Sequence, residues 1–557
     1  MPLNRKQQRA VEHVDGPLLV LAGAGSGKTR VITHKIASLV TRHGFAPHEV
    51  AAVTFTNKAA REMRQRVTSL VAPEVAEAVR ISTFHTLGLN ILRREYGHTP
   101  YRRNFSILDA GDSRSLVRDH LRQAGMDTDE ILEASISRIS AWKNSLLSAE
   151  DALAAADSET EAVKARCYMA YQDALESYNA LDFDDLIALP VRVLRQVPEA
   201  LEAWRGRIRY LLCDEYQDTN GAQYELMKLI VGDEARFTVV GDDDQSIYAW
   251  RGARPETLTI LSEDFPGLTV IPLEQNYRST SRILDAANSV IANNPHLFEK
   301  SLHSTCGAGD QLRIMRARDA VDESERVAME IARRQMTGSA SWKDFAILYR
   351  GNHQSRAFEQ ELQSRSIPYR VTGGPSFFDR SEIKDLMAYL RLVANPDDDV
   401  AFLRVVNVPR REIGSTSVGK LGRYAASRGQ SLLVASLEAG LHGVLSDRAV
   451  QRLQRFGRWV VDCEDSLSRG EAPHEFAARL VDEIGYEEWL RDTCRDQRQA
   501  ERCMENVAEL IGWLKSLSRI NKDNGLAGIL AHIGLMDMLD REEEENRDDA
   551  VSLMTLH

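Results

Sequence analysis

Residues 17–29 read PLLVLAGAGSGKT: an apolar run, a glycine-rich turn and residues that open a helix. No other stretch limits the fold so strongly. A buried strand ending in Ala22-Gly23-Ala24-Gly25-Ser26-Gly27-Lys28-Thr29 turns successive backbone N–H groups toward an anion. The N-terminus of the following helix adds its dipole. The strict pattern asks for glycine where Ala22 stands, and the later glycines preserve the inward turn. Lys28 is expected to reach the β- and γ-phosphates of ATP, and Thr29 to ligate Mg²⁺.

A partner motif lies in Leu211-Leu212-Cys213-Asp214-Glu215, an apolar strand ending in two carboxylates. Asp214 is the expected metal ligand, acting through water, and Glu215 the expected general base. Between and around these motifs, strand signals alternate with helical ones. AAVTFTNKAAREM (51–63) is a second strand-to-helix unit, and after ISTFHTLG (81–88) the pattern turns mostly helical until about residue 200. Strand signals return in IRYLLCDEYQDT (208–219) and RFTVVGDDDQSIYAWRG (236–252). They recur in LTVIPLEQNYRS (268–279), QLRIMRA (311–317) and DFAILYRGNHQSR (344–356). Helical periodicity then dominates 375–540, REEEENRDDA (541–550) reads as a charged linker, and VSLMTLH begins a new apolar strand.

Strands separated by helices predict parallel sheets with right-handed crossovers. The expected fold class is α/β, with two P-loop-type sheet domains, each carrying a mainly helical insertion. The first sheet domain takes residues 1–84 and 200–276, with its insertion at 85–199. The second takes 277–374 and 541–557, with its insertion at 375–540.

A chain of 557 residues is too long for one core, which agrees with several domains. It has no run of about 18 uncharged apolar residues, which argues against a membrane span, and its polar start argues against a signal peptide. Six cysteines with no C-x-x-C pair give little support to disulfides or zinc, and a reducing cytoplasm is the expected compartment. The net charge of −12 means that any nucleic acid must be held in a local groove.

The two phosphate motifs alone specify a P-loop NTPase. The strings around them say more. LNRKQQRAV (3–11), AGAGSGKT, TFTNKAAREM (54–63), TFHTLG (83–88), DEYQDT (214–219), VVGDDDQSIYAWRGA (240–253) and LEQNYRS (273–279) occur in this order. Together they resemble the superfamily 1 DNA helicases of the Rep/UvrD/PcrA family, over the whole chain. LYRGNHQSR and LDFDDL come nearest to its Rep branch.

The resemblance implies two RecA-like domains and a DNA-stimulated ATPase that moves 3′ to 5′ on single strands and at single–double-strand junctions, in replication or its restart. It implies roles residue by residue. Gln7 reads the adenine edge and Tyr277 stacks on its face; Gln245 senses the γ-phosphate, Arg278 contacts it, and Arg30 lies beside the nucleotide. Guanidinium forks suit phosphate oxygens and developing charge.

Phe55, His85, Tyr248 and Trp250 match family positions that line the strand path, with Thr54, Asn57 and Lys58 as phosphate contacts. Arg350 matches a position across the groove, in the second sheet domain. Asp182, Asp184 and Asp185 of LDFDDL are read as helix capping and assigned no metal. The turn Arg410 to Thr416 is a weak candidate for duplex phosphates, and a plain helix–helix turn fits it equally.

In the family, ATP hydrolysis between the sheet domains alternates their grip on the strand. Family members continue from a string like LMTLH into further DNA- and ATP-contacting motifs. The resemblance therefore implies that the second sheet domain extends beyond His557, and that the chain as it stands hydrolyses ATP poorly. A C-terminal tail would then hold contacts with a replisome helicase, and the chain would act as a monomer or a DNA-induced dimer. The alternatives are a repair helicase of the UvrD/PcrA kind, or a P-loop module that binds DNA without productive turnover. A nuclease-complex subunit would need clustered carboxylates and lysine in a nuclease domain. A small-molecule kinase leaves the aromatic motifs unexplained.

Overall fold

The computed structural model describes residues 2–556 except 103–104, 109, 127, 248–256, 295–299, 339, 373–379, 521–525, 527–528 and 531–548. The chain divides into two units, Met1–Arg313 and Ile314–His557. The first is built on β1 (Leu18–Ala22), β2 (Val50–Thr54), β3 (Arg80–Thr83), β4 (Tyr210–Cys213), β5 (Phe237–Gly241) and β6 (Thr269–Leu273). They form one six-stranded sheet in the order β3-β2-β4-β5-β1-β6, parallel throughout.

Every residue of β1, β2, β4 and β5 is buried, because helices cover both faces of the sheet. The two-residue period of a strand divides their side chains between two cores. Leu19, Val53, Leu211 and Phe237 enter one; Leu18, Ala52, Leu212 and Val240 enter the other. All strands point the same way, so the segments following β1, β4 and β5 emerge along one edge. That edge is where open α/β sheets place their ligands.

Between β3 and β4 the chain is mostly helical, including Asp129–Asn144, Glu159–Ser177 and Asp185–Gln196. The run after residue 268 completes the first sheet, since Thr269–Leu273 pairs with β1. QLRIMRA is a correction to the sequence reading. No strand forms at 311–317, and Leu312, Ile314 and Met315 are exposed. Alternation marks a possible strand face, but a strand also needs a paired neighbour, and no described strand pairs with this segment.

The second unit holds β7 (Ala346–Tyr349), β8 (Tyr369–Thr372) and β9 (Val551–Thr555), in the parallel order β7-β9-β8. The apolar run at 551 is thus a central strand, and Val551 and Leu553 pack with Ile347, Tyr349 and Phe358. Among the described residues between β8 and β9, helices run from Ser381–Ala394 to Gln497–Ile520. In the 410–416 turn, Arg411 is turned inward: its guanidinium donates to the Val405 carbonyl at 2.8 Å and the Tyr389 hydroxyl at 2.6 Å. Among the described residues, no helix is long and apolar enough to cross a membrane.

One buried charge fixes the N-terminal helix. Lys35, on α2 (Lys28–Thr41), is fully buried and donates to the carbonyls of Ala10, at 3.0 Å, and His13. These are last-turn acceptors of α1 (Arg5–Glu12), which have no partner within their own helix. Burial pushes the Lys35 ammonium down to about 7. The unfolded chain therefore binds one more proton than the folded chain between pH 7 and about 10, and stability rises with pH across that window. Against Lys35→Met, the wild type should gain about 3 kcal/mol from pH 7 to pH 9.5, at about 1.4 kcal/mol per pH step. Urea midpoints at the two pH values test this, and parallel behaviour of the two chains would disprove it.

Candidate nucleotide site and nucleic-acid face

The glycine loop adopts backbone angles closed to most residues. Gly25 and Gly27 have φ of 69° and 90°, and Gly27 caps the start of α2. A Cβ on Gly25 would lie 2.7 Å from Arg278 Cβ, and one on Gly27 would lie 2.8 Å from Gln7 Nε2. The missing side chains thus let two distant segments settle on the loop. From one, Gln7 Nε2 donates to the Ser26 carbonyl at 2.9 Å. From the other, Asn276 Nδ2 donates to the Ala24 carbonyl at 2.5 Å and Tyr277 N to the Gly25 carbonyl at 2.9 Å. Asn276 Oδ1 accepts from the amides of Arg278 and Ser279, which fixes the Tyr277-Arg278 corner.

Asn4 joins the two segments. It caps α1 by accepting from Gln7 N at 2.8 Å, while Gln7 Oε1 accepts from Asn4 N. Its own amide donates to the Tyr277 hydroxyl at 2.8 Å. The residues expected to read the adenine edge and face therefore share one support. Sequence reading passed over Asn4 and Asn276. The N-x-x-Q spacing of a capping box could have marked Asn4; nothing local marks Asn276.

Glu215 follows β4 with φ of 50°, a left-handed angle unusual for a side-chain-bearing residue. The strained corner is over-determined by its neighbours. Lys28 Nζ donates to Glu215 Oε2 at 2.7 Å and lies 3.4 Å from Gln245 Oε1. Gln217, 1% exposed, donates to the same Glu215 oxygen at 2.9 Å and accepts from Asp242 N at 3.0 Å. Asp242 in turn accepts from the Gln245 side chain. Gln217 was also missed by sequence reading, and it ties the end of β4 to the end of β5.

Asp214 is buried and accepts from the Glu215 amide at 3.0 Å. Burial, then the Glu215 charge, pushes its carboxyl up to about 7. A carboxylate this costly to ionise suits a site that receives a cation, and a hydroxyl with a carboxylate is a hard-oxygen donor set of the kind Mg²⁺ takes. Thr29 and Asp214 thus fit that ion. The neighbouring triple Asp242, Asp243 and Asp244 is tied together by a cation of the protein itself. Lys300 makes ion pairs with all three, and although burial disfavours its ammonium, these carboxylates hold its pKa above the usual lysine value. The guanidinium groups of Arg30 and Arg278 have no ion-pair partner among the described residues, and Arg278 is exposed.

The expected strand path starts on the same edge. Thr54 ends β2, Phe55 is half-buried, and Asn57 and Lys58 open α3 (Asn57–Thr68) as exposed residues. The Thr54 hydroxyl is buried with no hydrogen-bond partner among the described residues. His85 lies 4.0 Å from Phe183, ring centre to ring centre, and burial pushes its imidazole down to about 4. It is therefore neutral at physiological pH and suited to stacking. Phe183 is 59% exposed, an aromatic face that sequence reading passed over inside LDFDDL. Tyr248 and Trp250 lie outside the described residues. Arg350 belongs to the second unit, at the end of β7.

The carboxylates around Phe183 hold its loop. Asp182 and Asp185 both pair with the buried Lys143, at 2.7 and 2.9 Å, and Asp182 Oδ1 accepts from the Asp185 amide. Asp184 accepts from Asn144 Nδ2 at 3.0 Å. Asn144 Oδ1 accepts in turn from Asn220 at 2.6 Å, just after the Asp214–Thr219 segment. A chain of direct contacts thus runs from the Phe183 loop to the end of the carboxylate motif.

The model of the UvrD/REP helicase N-terminal domain matches residues 3–266, and that of the UvrD-like helicase C-terminal domain matches 271–435. Over 560 residues the chain is 50% identical to the ATP-dependent DNA helicase Rep of Escherichia coli (strain K12), covering 100% of this chain and 83% of that protein. Rep of Salmonella typhimurium is also 50% identical, with the same coverage. The ATP-dependent DNA helicase PcrA of Bacillus subtilis is 42% identical over 563 residues, covering 100% of this chain and 75% of PcrA.

Proposed function

Since this chain belongs to the UvrD/Rep helicase family, we propose that it moves 3′ to 5′ along single-stranded DNA and parts duplex ahead of it, driven by ATP. It is an ATP-dependent DNA helicase by class, as its relatives are named. The observation that carries the mechanism is the meeting of Lys28, Glu215 and Gln245 beside a glycine loop that also seats Gln7, Tyr277 and Arg278.

Gln7 and Tyr277 hold adenine between an amide and a ring. The amides of Gly23 to Thr29 cradle the phosphates, with Lys28 neutralising the outer ones. Lys28 must exchange the Glu215 carboxylate for phosphate, which frees Glu215 Oε2 to take a proton from the attacking water. Thr29 and Asp214 would hold Mg²⁺, which neutralises phosphate charge when bound. Arg278 and Arg30 supply guanidinium to the same charge. Gln245, bonded toward Lys28 and Asp242, couples the phosphate end to the strand path. A role in replication is supported by the 50% identity to the Escherichia coli and Salmonella Rep helicases, against 42% to the Bacillus subtilis PcrA.

Hydrolysis should rise at least tenfold on adding an unstructured single-stranded oligonucleotide, and duplex with a 3′ tail should be unwound in preference to a 5′ tail. Asn144→Ala, which cuts the contact between Asp184 and Asn220, should lower that stimulation severalfold with unstimulated turnover retained. No stimulation and no DNA binding in the wild type would overturn the motor. Unchanged stimulation in Asn144→Ala would overturn only the coupling path.

A further inference from the structure

At the edge of the first sheet opposite the glycine loop, arginines gather from a strand and two helices. Arg80 begins β3, Arg93 and Arg94 end the helix Phe84–Glu95, and Arg207 ends the helix Pro198–Arg207. With Asn90 and the buried Trp204 they line one open cavity of about 460 Å³. None of the four has an ion-pair partner among the described residues. Two carboxylates lie on neighbouring segments and pair with none of the four: Glu95 accepts from Nε1 of the lining residue Trp204 at 3.0 Å, and Glu49 lies 3.5 Å from Arg209.

These guanidinium groups oppose one another. Burial first, then Arg207 and Arg94, hold the Arg80 pKa below the usual arginine value. Arg207 packs over the Trp204 ring at 5.3 Å, yet its Nη1 is buried with no hydrogen-bond partner among the described residues. Basic last turns complement helix dipoles, which accounts for Arg93, Arg94 and Arg207 one at a time. It does not account for their convergence with Arg80, from a strand, on one cavity of a chain with net charge −12. Like charges crowded without a counter-ion cost stability, and such frustration marks sites shaped for a ligand.

We propose that Arg80, Arg93, Arg94 and Arg207 form a second anion site, separate from the glycine loop, that takes a small molecule bearing several linked phosphates. Planar guanidinium forks match phosphate oxygens, and four of them around one cavity match a compact polyphosphate better than a single phosphate. The cavity volume lies within the range of small-molecule sites. A nucleic-acid strand would call for an extended track with exposed stacking rings, and Trp204 is buried. An acidic peptide would call for apolar anchor pockets, which the lining does not offer.

The test is calorimetric titration of inorganic tripolyphosphate and of orthophosphate into the full chain, into Lys28→Ala, and into the triple variant Arg93→Gln, Arg94→Gln, Arg207→Gln. Tripolyphosphate should bind Lys28→Ala within threefold of its affinity for this site in the wild type. It should bind the arginine variant at least tenfold more weakly, and orthophosphate at least tenfold more weakly than tripolyphosphate. The melting temperature of the variant should stay level or rise, since repulsion is relieved, and unstimulated ATP hydrolysis should be unchanged. Arg94→Gln alone serves if the triple variant does not fold, with an expected loss of threefold or more. Binding that disappears in Lys28→Ala and survives the arginine changes would assign all phosphate binding to the glycine loop and overturn the site. Absent tripolyphosphate binding with weakened DNA binding in the arginine variant would make this face a nucleic-acid surface, which also overturns it.

Discussion

Glu215→Gln should lower ATP turnover by about 10²- to 10⁴-fold, the usual contribution of a positioned general base, with nucleotide affinity kept within a few-fold. The amide preserves the shape of the side chain and still accepts from Gln217, so the β4–β5 link survives. What it cannot do is take a proton from water. It also removes the charge that now pairs with Lys28 at 2.7 Å, which leaves that ammonium freer for phosphate. Binding should therefore hold or tighten slightly as chemistry fails, and single-turnover hydrolysis beside a fluorescent-nucleotide titration separates the two. Asp218 is the competing base: burial, then Glu215, pushes its carboxyl up to about 7. A loss under threefold in Glu215→Gln, with a large one in Asp218→Asn, would move the role to Asp218.

Lys143→Met should destabilise the first unit by about 3–5 kcal/mol, because it strands two buried carboxylates. Burial disfavours the Lys143 ammonium, but Asp182 and Asp185 hold its pKa above the usual lysine value. Burial likewise pulls Asp182 upward, and Lys143 outweighs it and holds that carboxyl low; Asp185 is pushed up to about 7 by burial and by Asp182. One ammonium thus serves two acids, with Tyr171 donating to Asp182 at 3.0 Å. Removing the cation leaves charge with no solvent to receive it. Neutralising all three, as Lys143→Met with Asp182→Asn and Asp185→Asn, should restore most of the loss, since partners removed together leave little unsatisfied. Denaturant melts of the wild type, single and triple variants decide it. A single variant within about 1 kcal/mol of wild type would show that water reaches the cluster. The Phe183 loop lies between these acids, so DNA binding should fall with stability in the single variant.

The proposed nucleotide site was legible where chemistry dictates spacing along the chain. A phosphate loop has to be contiguous, because one helix start and the amides before it make the cradle; residues 22–29 declare themselves. The carboxylates of Asp214 and Glu215 were likewise readable, since a strand end carries them both. The same logic located five strands of the first sheet and passed over β3, whose four residues are too few to make an apolar run. Four of them are buried on both faces, so they read as apolar runs, and parallel order follows from the helices between them.

Tertiary structure alone decided who supports whom. Asn276 meets Ala24 across 252 residues, and Asn4 meets Tyr277 across 273. Lys300 finds Asp242 to Asp244, and Lys143 finds Asp182 and Asp185, without any spacing that pairs them. QLRIMRA shows the limit from the other side: a strand-like alternation stayed irregular because pairing is a property of two segments. The four arginines at the far edge come from a strand and two helices, and each reads as an ordinary helix end or surface charge in isolation. Groups that act through covalent neighbours leave a pattern in sequence. Groups that act through space, as screening charges and hydrogen-bond partners do, become visible only when the chain has folded and water has been excluded between them.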